Sequence, residues 1–156
     1  MTNRAAPAPG EPNTGLLLYL PYREMEARVF QAVQEAGFTD LTLAQGRVFQ
    51  RIGAEGTRLT ALAEQARVSK QTAAVLVQAL ETAGYVRRIP DPTDARARLV
   101  CVAERGTAAV AVAAETVQAV EAEWRAHVGS AAYARLRDTL QKLREISDPY
   151  QGVQKG

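Results

Sequence analysis

The chain has a single cysteine and a single histidine in 156 residues, and that scarcity removes whole classes of function. One thiol cannot close an internal disulfide, so a small secreted fold held by bridges is excluded. Cys101 and His127, one of each and far apart, cannot supply the ligand set of a metal site. Cys101 is read as a half-buried packing thiol and His127 as a surface or interface residue. There is no Gly-rich phosphate loop, no Ser–His–acid spacing and no clustered carboxylate pair. No enzyme is therefore expected, and no catalytic residue, cofactor or metal is assigned. Long apolar runs are missing as well. Leu16 to Leu20 is far shorter than a membrane span and ends at Pro21, and the segment before it is polar and Pro-rich. These features predict a soluble, cytoplasmic protein without a membrane partner.

What remains is a helix-forming composition: 7 Pro, 11 Gly, 6% aromatic residues and 47% hydrophobic residues rich in Ala, Leu and Val. This suffices for one domain with a core of its own. The net charge is only +2, but its distribution is uneven. Residues 47–105 hold ten basic and six acidic side chains, a net of +4, and the rest of the chain carries −2. A basic middle between acidic arms suits a central reader of nucleic acid.

Residues 1–14 read as a disordered tail and 147–156 as a loose one. The segment from about Gly15 to Gly37 has helical spacing at Leu18, Tyr22, Val29, Phe30 and Val33, with Pro21 suggesting a start near that point. Leu43 to Ile52 follows as a second helix, closed by Gly53 and Gly56. Thr60 is placed as the cap of a short helix whose Leu59, Leu62, Ala63 and Ala66 face inward. Ser69 is the N-cap of the next helix, Lys70 to about Ala83, with Val75, Leu76, Ala79, Leu80 and Ala83 as its apolar positions and Gly84 as its stop. Two β runs, Tyr85–Ile89 and Arg98–Val102, flank a polar turn fixed by Pro90 and Pro92, which predicts a hairpin. Long helices over about 103–128 and 130–146 exceed what so small a core needs. With the first helix they can pack against a second copy of the chain.

Helix, tight turn, helix and hairpin is the order of a winged helix-turn-helix between residues 59 and 102. In that geometry the second helix enters the major groove with its N-terminal residues at base edges. Ser69, Lys70, Gln71 and Thr72 stand there: Lys70 suits phosphate or guanine, Gln71 an adenine edge, and the two hydroxyls either. Arg96 and Arg98 beside the hairpin turn suit a neighbouring minor groove. The competing reading of each is an ordinary solvated charge, and a winged helix can also serve as a protein-interaction or dimerisation module without specific DNA binding.

Leu62-Ala63-Glu64-Gln65-Ala66-Arg67-Val68-Ser69-Lys70-Gln71-Thr72, followed by Leu80-Glu81 and Gly84-Tyr85-Val86, resembles the helix-turn-helix of the MarR family of bacterial regulators. Asp91-Pro92-Thr93-Asp94-Ala95-Arg96-Ala97-Arg98-Leu99-Val100 resembles that family's wing, and Gly106 falls where its next helix begins. The likeness covers about residues 15–146. It implies a mainly α fold with a small β-hairpin wing, residues 42–102 reading DNA and residues 15–37 and 103–146 forming a dimerisation region. It further implies a homodimeric regulator, by expectation a repressor, on a pseudo-palindromic operator, with release by a small aromatic or phenolic ligand. Arg96 corresponds to the wing arginine and Asp94 to the carboxylate that orients it. The family's peroxide-sensing cysteine lies in the first helix, so Cys101 does not match it. Tyr19, Tyr22, Phe30, Trp124 and Tyr133 are candidates either for a ligand pocket or for the dimer core. The chain departs from the family at Ala73, Ala74 and Val75, where a polar or basic residue is usual. Ala95 replaces a second wing arginine, and Ala103 replaces a capping Thr. Sequence preference is therefore expected to rest on Lys70, Gln71, Gln78 and the wing.

Overall fold

A computed structural model describes residues 8–150. Its elements are α1 (Thr14–Glu35), α2 (Leu43–Phe49), β1 (Thr57–Arg58), α3 (Leu59–Ala66), α4 (Lys70–Thr82), β2 (Val86–Asp91), β3 (Asp94–Val102), α5 (Glu104–Val128) and α6 (Ser130–Ser147). The three strands form one antiparallel sheet in the order β1-β3-β2. The fold is mostly helical with a small β wing, the class expected from sequence.

The core lies where α2, α3, α4 and the sheet converge. Val48, Leu62, Val77, Leu80, Tyr85, Val86, Val100 and Ala109 pack there, with Phe49, Ile52, Leu59 and Ala66 against its edge. Burial of each large side chain contributes about 1.5–3 kcal/mol, so this cluster holds the reading lobe together. α5 contributes Ala109, near its start, to this cluster.

Four local expectations are corrected. Pro21 lies inside α1, which begins at Thr14 with Asn13 as its cap. The missing N–H of Pro21 removes one helix bond, yet the helix passes through it. Leu16 to Leu20 and Tyr22 are all at least 41% exposed on these turns among the described residues. Thr60 does not cap α3: the helix starts at Leu59 and its N-cap, Arg58, makes no side-chain bond. The reason is the short strand β1, which pairs Thr57 with Val100 and Arg58 with Leu99 and leaves no room for a separate capping turn. The hairpin is longer and tighter than expected, since Pro90 and Asp91 belong to β2 and Asp94 to β3. Finally, residues 148–150 are not loose. The Asp148 carboxylate accepts from Arg51 at 3.1 Å and Arg144 at 2.9 Å, and the Tyr150 hydroxyl donates to Glu64. The remaining parts of the two expected tails, 1–7 and 151–156, lie outside the described residues.

Candidate nucleic-acid interface

The start of α4 is built by Ser69. Its Oγ accepts the Thr72 N–H at 3.0 Å and donates to Thr72 Oγ1 at 2.8 Å, so these two hydroxyls fix the helix start. No acidic residue occupies the first turn, and the positive end of the helix dipole is left without a competing carboxylate. Lys70 and Gln71 are exposed with no side-chain partner among the described residues. Gln78 lies further along the exposed side and donates to Thr82 Oγ1 at 3.4 Å. Ahead of the helix, Arg67 closes α3 in the left-handed region at φ 54°. A branched-chain-free but bulky residue there is uncommon, and it makes the turn between α3 and α4 tight.

The helix buries Ala73, Val77 and Leu80. Val75, grouped by sequence with the inward positions, is instead 64% exposed. At 3.6 residues per turn it lies roughly opposite the Ala73–Val77–Leu80 stripe. Ala73, conversely, is fully buried, so a polar residue there would meet the core rather than DNA, and its absence removes no base contact.

In the wing, both arginines lie on β3, Arg98 paired with Pro90 and Arg96 in the irregular stretch between that pair and the Asp91–Asp94 pair. Both are exposed, and neither guanidinium has a partner among the described residues. Asp94 does not hold the Arg96 guanidinium. Its carboxylate accepts the Arg96 backbone N–H at 3.1 Å and faces the Arg58 guanidinium at 3.7 Å. The wing turn itself is fastened by Asp91, a residue sequence reasoning left unassigned. Its Oδ1 accepts the Thr93 N–H at 2.8 Å and the Thr93 hydroxyl at 2.7 Å, and its Oδ2 accepts from Arg58 at 2.6 and 2.7 Å. Asp followed two residues later by a bonded N–H is an Asx-turn, so Asp91-Pro92-Thr93 carried a readable signal.

The Thr93 bonds, with the Arg58 guanidinium behind them, lower the Asp91 carboxyl from 3.8 to about 2. Because the folded value is the lower one, its contribution to stability is complete above about 3.8 and is lost as pH falls toward about 2. Asp91→Asn is expected to be less stable than the wild type at neutral pH, with the gap closing across that window. Denaturant unfolding of both proteins at pH 7 and pH 2.5 measures it, and a gap independent of pH would remove the ionised carboxylate from the account.

The positive middle of the chain divides in two. Arg47 pairs with Glu26, Arg51 with Asp148, Arg58 with Asp91, Arg88 with Glu81 and Arg105 with Asp40. The other five cations, Arg67, Lys70, Arg87, Arg96 and Arg98, are exposed and make no ion pair or side-chain hydrogen bond among the described residues. They sit on the α3–α4 turn, the first residue of α4 and the two wing strands. Arg67 and Arg87 were not assigned from sequence, since exposure and lack of a partner are properties of the fold.

The reading lobe is joined to the α1–α2 loop and to α5 through Tyr85. Its hydroxyl donates to Asp40, whose carboxylate also accepts from both terminal nitrogens of Arg105 at 2.7 and 2.9 Å. Arg105 stacks over the Tyr85 ring at 4.3 Å and donates at 2.8 Å to the carbonyl of Ala83, the residue that caps the end of α4. Burial, and then the Asp40 carboxylate, push the Tyr85 hydroxyl up to about 12, so it stays a donor. Arg105 is the main cause that holds Asp40 below its ordinary value. Beside this joint lies a cavity of about 590 Å³ between α1, α2 and α5. Met25, Val29, Phe30, Phe49 and Val117 give it apolar walls, and Tyr22, Tyr85 and the Glu26–Arg47 pair supply polar groups. Of the candidate aromatics, Tyr22 and Phe30 thus reach the cavity, Tyr19 is exposed, and Tyr133 is buried with Arg125 over its ring at 5.1 Å. Cys101 is buried, with its sulfur against Gly56.

Among the described residues, no helix is long and apolar enough to cross a membrane, and no group of His, Cys, Asp and Glu is arranged to hold a metal ion. Residues 39–97 match the MarR family. No curated protein matches the chain. Among solved structures, CouR from Rhodococcus jostii RHA1 bound to p-coumaroyl-CoA is 26% identical, with 86% of this chain and 92% of that one covered at a TM-score of 0.65. The Mycobacterium tuberculosis MarR family protein Rv2887, in complex with salicylic acid, is 25% identical over 87% of this chain and 99% of its own, at a TM-score of 0.62. Wild-type MarR from E. coli in its apo form is 21% identical, covers 85% and 97%, and has a TM-score of 0.65.

Proposed function

We propose that this chain, a MarR-family winged helix-turn-helix protein, binds double-stranded DNA sequence-specifically as a homodimeric repressor. The observation that carries the reading is the set of five exposed, unpaired cations on the α3–α4 turn, the start of α4 and the wing. Other basic residues of the lobe are neutralised within the chain, so the free positive charge is confined to the elements that meet the grooves. Lys70 and Gln71 reach base edges, Ser69 and Thr72 hold the helix start, Gln78 extends the contact, and Arg96 and Arg98 take the minor groove.

The second copy is supported by apolar surface that the described residues leave exposed. Leu16, Leu17, Leu18, Tyr19 and Leu20 on α1 and Leu136, Leu140, Leu143 and Ile146 on α6 are all exposed, more apolar surface than a monomer in water normally shows. Residues 15–37 and 103–146 then form the joint and residues 42–102 the reader. Two recognition helices address half-sites about one helical turn apart, which calls for a pseudo-palindrome.

The cavity between α1, α2 and α5 falls within the size range of small-molecule sites, roughly 300–1,000 Å³, and its apolar walls with a few polar groups suit a small aromatic or phenolic ligand. The relatives solved with salicylic acid and p-coumaroyl-CoA support that class. A ligand wedged there presses on α2 and on the Tyr85–Asp40–Arg105 joint, and through it on α4.

The test is retardation of a pool of random duplexes by the full chain at 50 and 200 mM salt. Each phosphate contact releases condensed counterion, so six or more contacts are expected to cost about 10³-fold in affinity between these salts. Absence of retardation at 50 mM would end the DNA reading. Addition of salicylate to the bound duplex then reports on release.

A further inference from the structure

We infer that Val75 reads the methyl group of a thymine in the major groove, a specificity contact that rests on the DNA-binding reading above. Val75 is 64% exposed in the middle of α4. A β-branched residue is a poorer helix former than alanine, and no burial within the chain offsets that. Its direction is also telling. Ala73, Val77 and Leu80 face the core, and Val75 stands roughly opposite them at the centre of the outward side. One turn before it is Gln71 and one turn after it are Gln78 and Ala79.

The surroundings select the partner. The outward side of α4 offers amides at Gln71 and Gln78, a cation at Lys70 and no carboxylate in its first turn. A protein surface that packed on Val75 would have to cover these polar groups and Lys70 as well. The major groove asks for all of them together: base-edge donors and acceptors for the glutamines, phosphate for the lysine, and the thymine C5-methyl as its one apolar group. Gln71 and Val75 are about 6 Å apart along the helix axis, close to two base-pair steps of about 3.4 Å. An adenine read by Gln71 and a thymine read by Val75 therefore fit within one half-site. Val75 is stiff about χ1 in a helix, so it meets the methyl without losing rotamer freedom.

The experiment uses a duplex enriched from a random pool by the full wild-type chain. Each thymine is replaced in turn by deoxyuridine, which deletes the methyl and leaves every hydrogen-bonding group in place. One thymine per half-site is expected to lose about fourfold in affinity on replacement, the factor that burial of one CH₂-sized group carries. Val75→Ala is expected to bind the thymine duplex about fourfold more weakly per half-site and to lose the discrimination between thymine and uracil. Its thermal midpoint should stay at or above that of the wild type, which separates a lost contact from a lost fold. Equal binding of thymine and uracil duplexes at every position by the wild type would overturn the inference, as would discrimination retained in Val75→Ala. Either result, with duplex binding intact, would leave Val75 to a protein partner. Failure of the wild type to enrich any duplex would instead overturn the underlying DNA reading.

Discussion

Replacing Gly106 by alanine is expected to lower the stability of the chain by about 3 kcal/mol and its melting temperature by roughly 6–12 °C. Gly106 is the third residue of α5, where the helix passes over the start of β2. A Cβ at this position would lie 2.2 Å from the Tyr85 carbonyl oxygen and 3.0 Å from both Phe49 Cζ and Val102 Cγ1. The nearest obstacle is backbone and cannot rotate away. Nor can Tyr85 retreat freely, since its carbonyl accepts the Ala103 N–H at 2.9 Å and its N–H donates to Leu80 at 2.9 Å. Relief would have to come from moving α5 off the lobe, which opens the core at Val48, Tyr85 and Ala109. The helix-propensity gain of alanine over glycine, about 1 kcal/mol at most, is smaller than that strain. Gly46 supplies the control. It is also helical, on α2, but a Cβ there meets nothing within 4 Å. Gly46→Ala should therefore stabilise the chain by about 0.5–1 kcal/mol. Thermal unfolding of the two variants beside the wild type checks both signs. A Gly106→Ala protein that melts at the wild-type temperature would mean that α5 does not approach Tyr85 so closely.

The same glycine shows how much of this molecule the sequence carries. Gly106 could be placed at the start of α5 by resemblance, but the obstacle that demands glycine is a carbonyl more than one element away. Local signals were legible where the chemistry is local. Ser69 as a cap, Gly37 and Gly84 as stops, and the ranges of α5 and α6 each depend on residues within a turn of one another. Signals failed where tertiary pairing decides. Two-residue β1 has no periodicity to read and exists only because β3 runs beside it. Thr60 looked like a cap because nothing local announces that strand. Pro21 argued for a helix start, yet α1 runs through it from the Asn13 cap. The site divides in the same way. Lys70, Gln71, Arg96 and Arg98 could be named from type and spacing. Which cations of the basic middle remain free could not, since Arg58, Arg105 and Arg51 find carboxylates 33, 65 and 97 residues away.

Loss of the wing arginine should be the largest single effect on DNA binding, and its mechanism can be told apart from that of its neighbours. Arg96→Ala is expected to weaken binding about 10- to 100-fold and to reduce the salt slope by about one unit, because a free cation leaves the interface. Arg96→Lys should restore the slope but not all of the affinity, since a point charge lacks the planar fork of a guanidinium. Asp91→Asn acts differently. It removes no DNA-facing group, and it releases a turn whose Thr93 and Arg58 bonds hold the hairpin closed. Affinity should fall through loss of preorganisation, while the salt slope stays near the wild-type value, because no DNA-facing cation is removed and Arg58 keeps the Asp94 carboxylate at 3.7 Å. Asp91 is in this sense a positioning residue for Arg96. Asp94 is a second one, acting through the Arg96 N–H rather than the guanidinium. An asparagine at 94 retains that acceptor, so Asp94→Asn should cost far less affinity than Arg96→Ala. Anisotropy titrations of one enriched duplex at several salt concentrations separate these outcomes. Equal affinity and slope for Arg96→Ala and the wild type would place the wing outside the interface and leave Lys70 and Gln71 as its principal contacts.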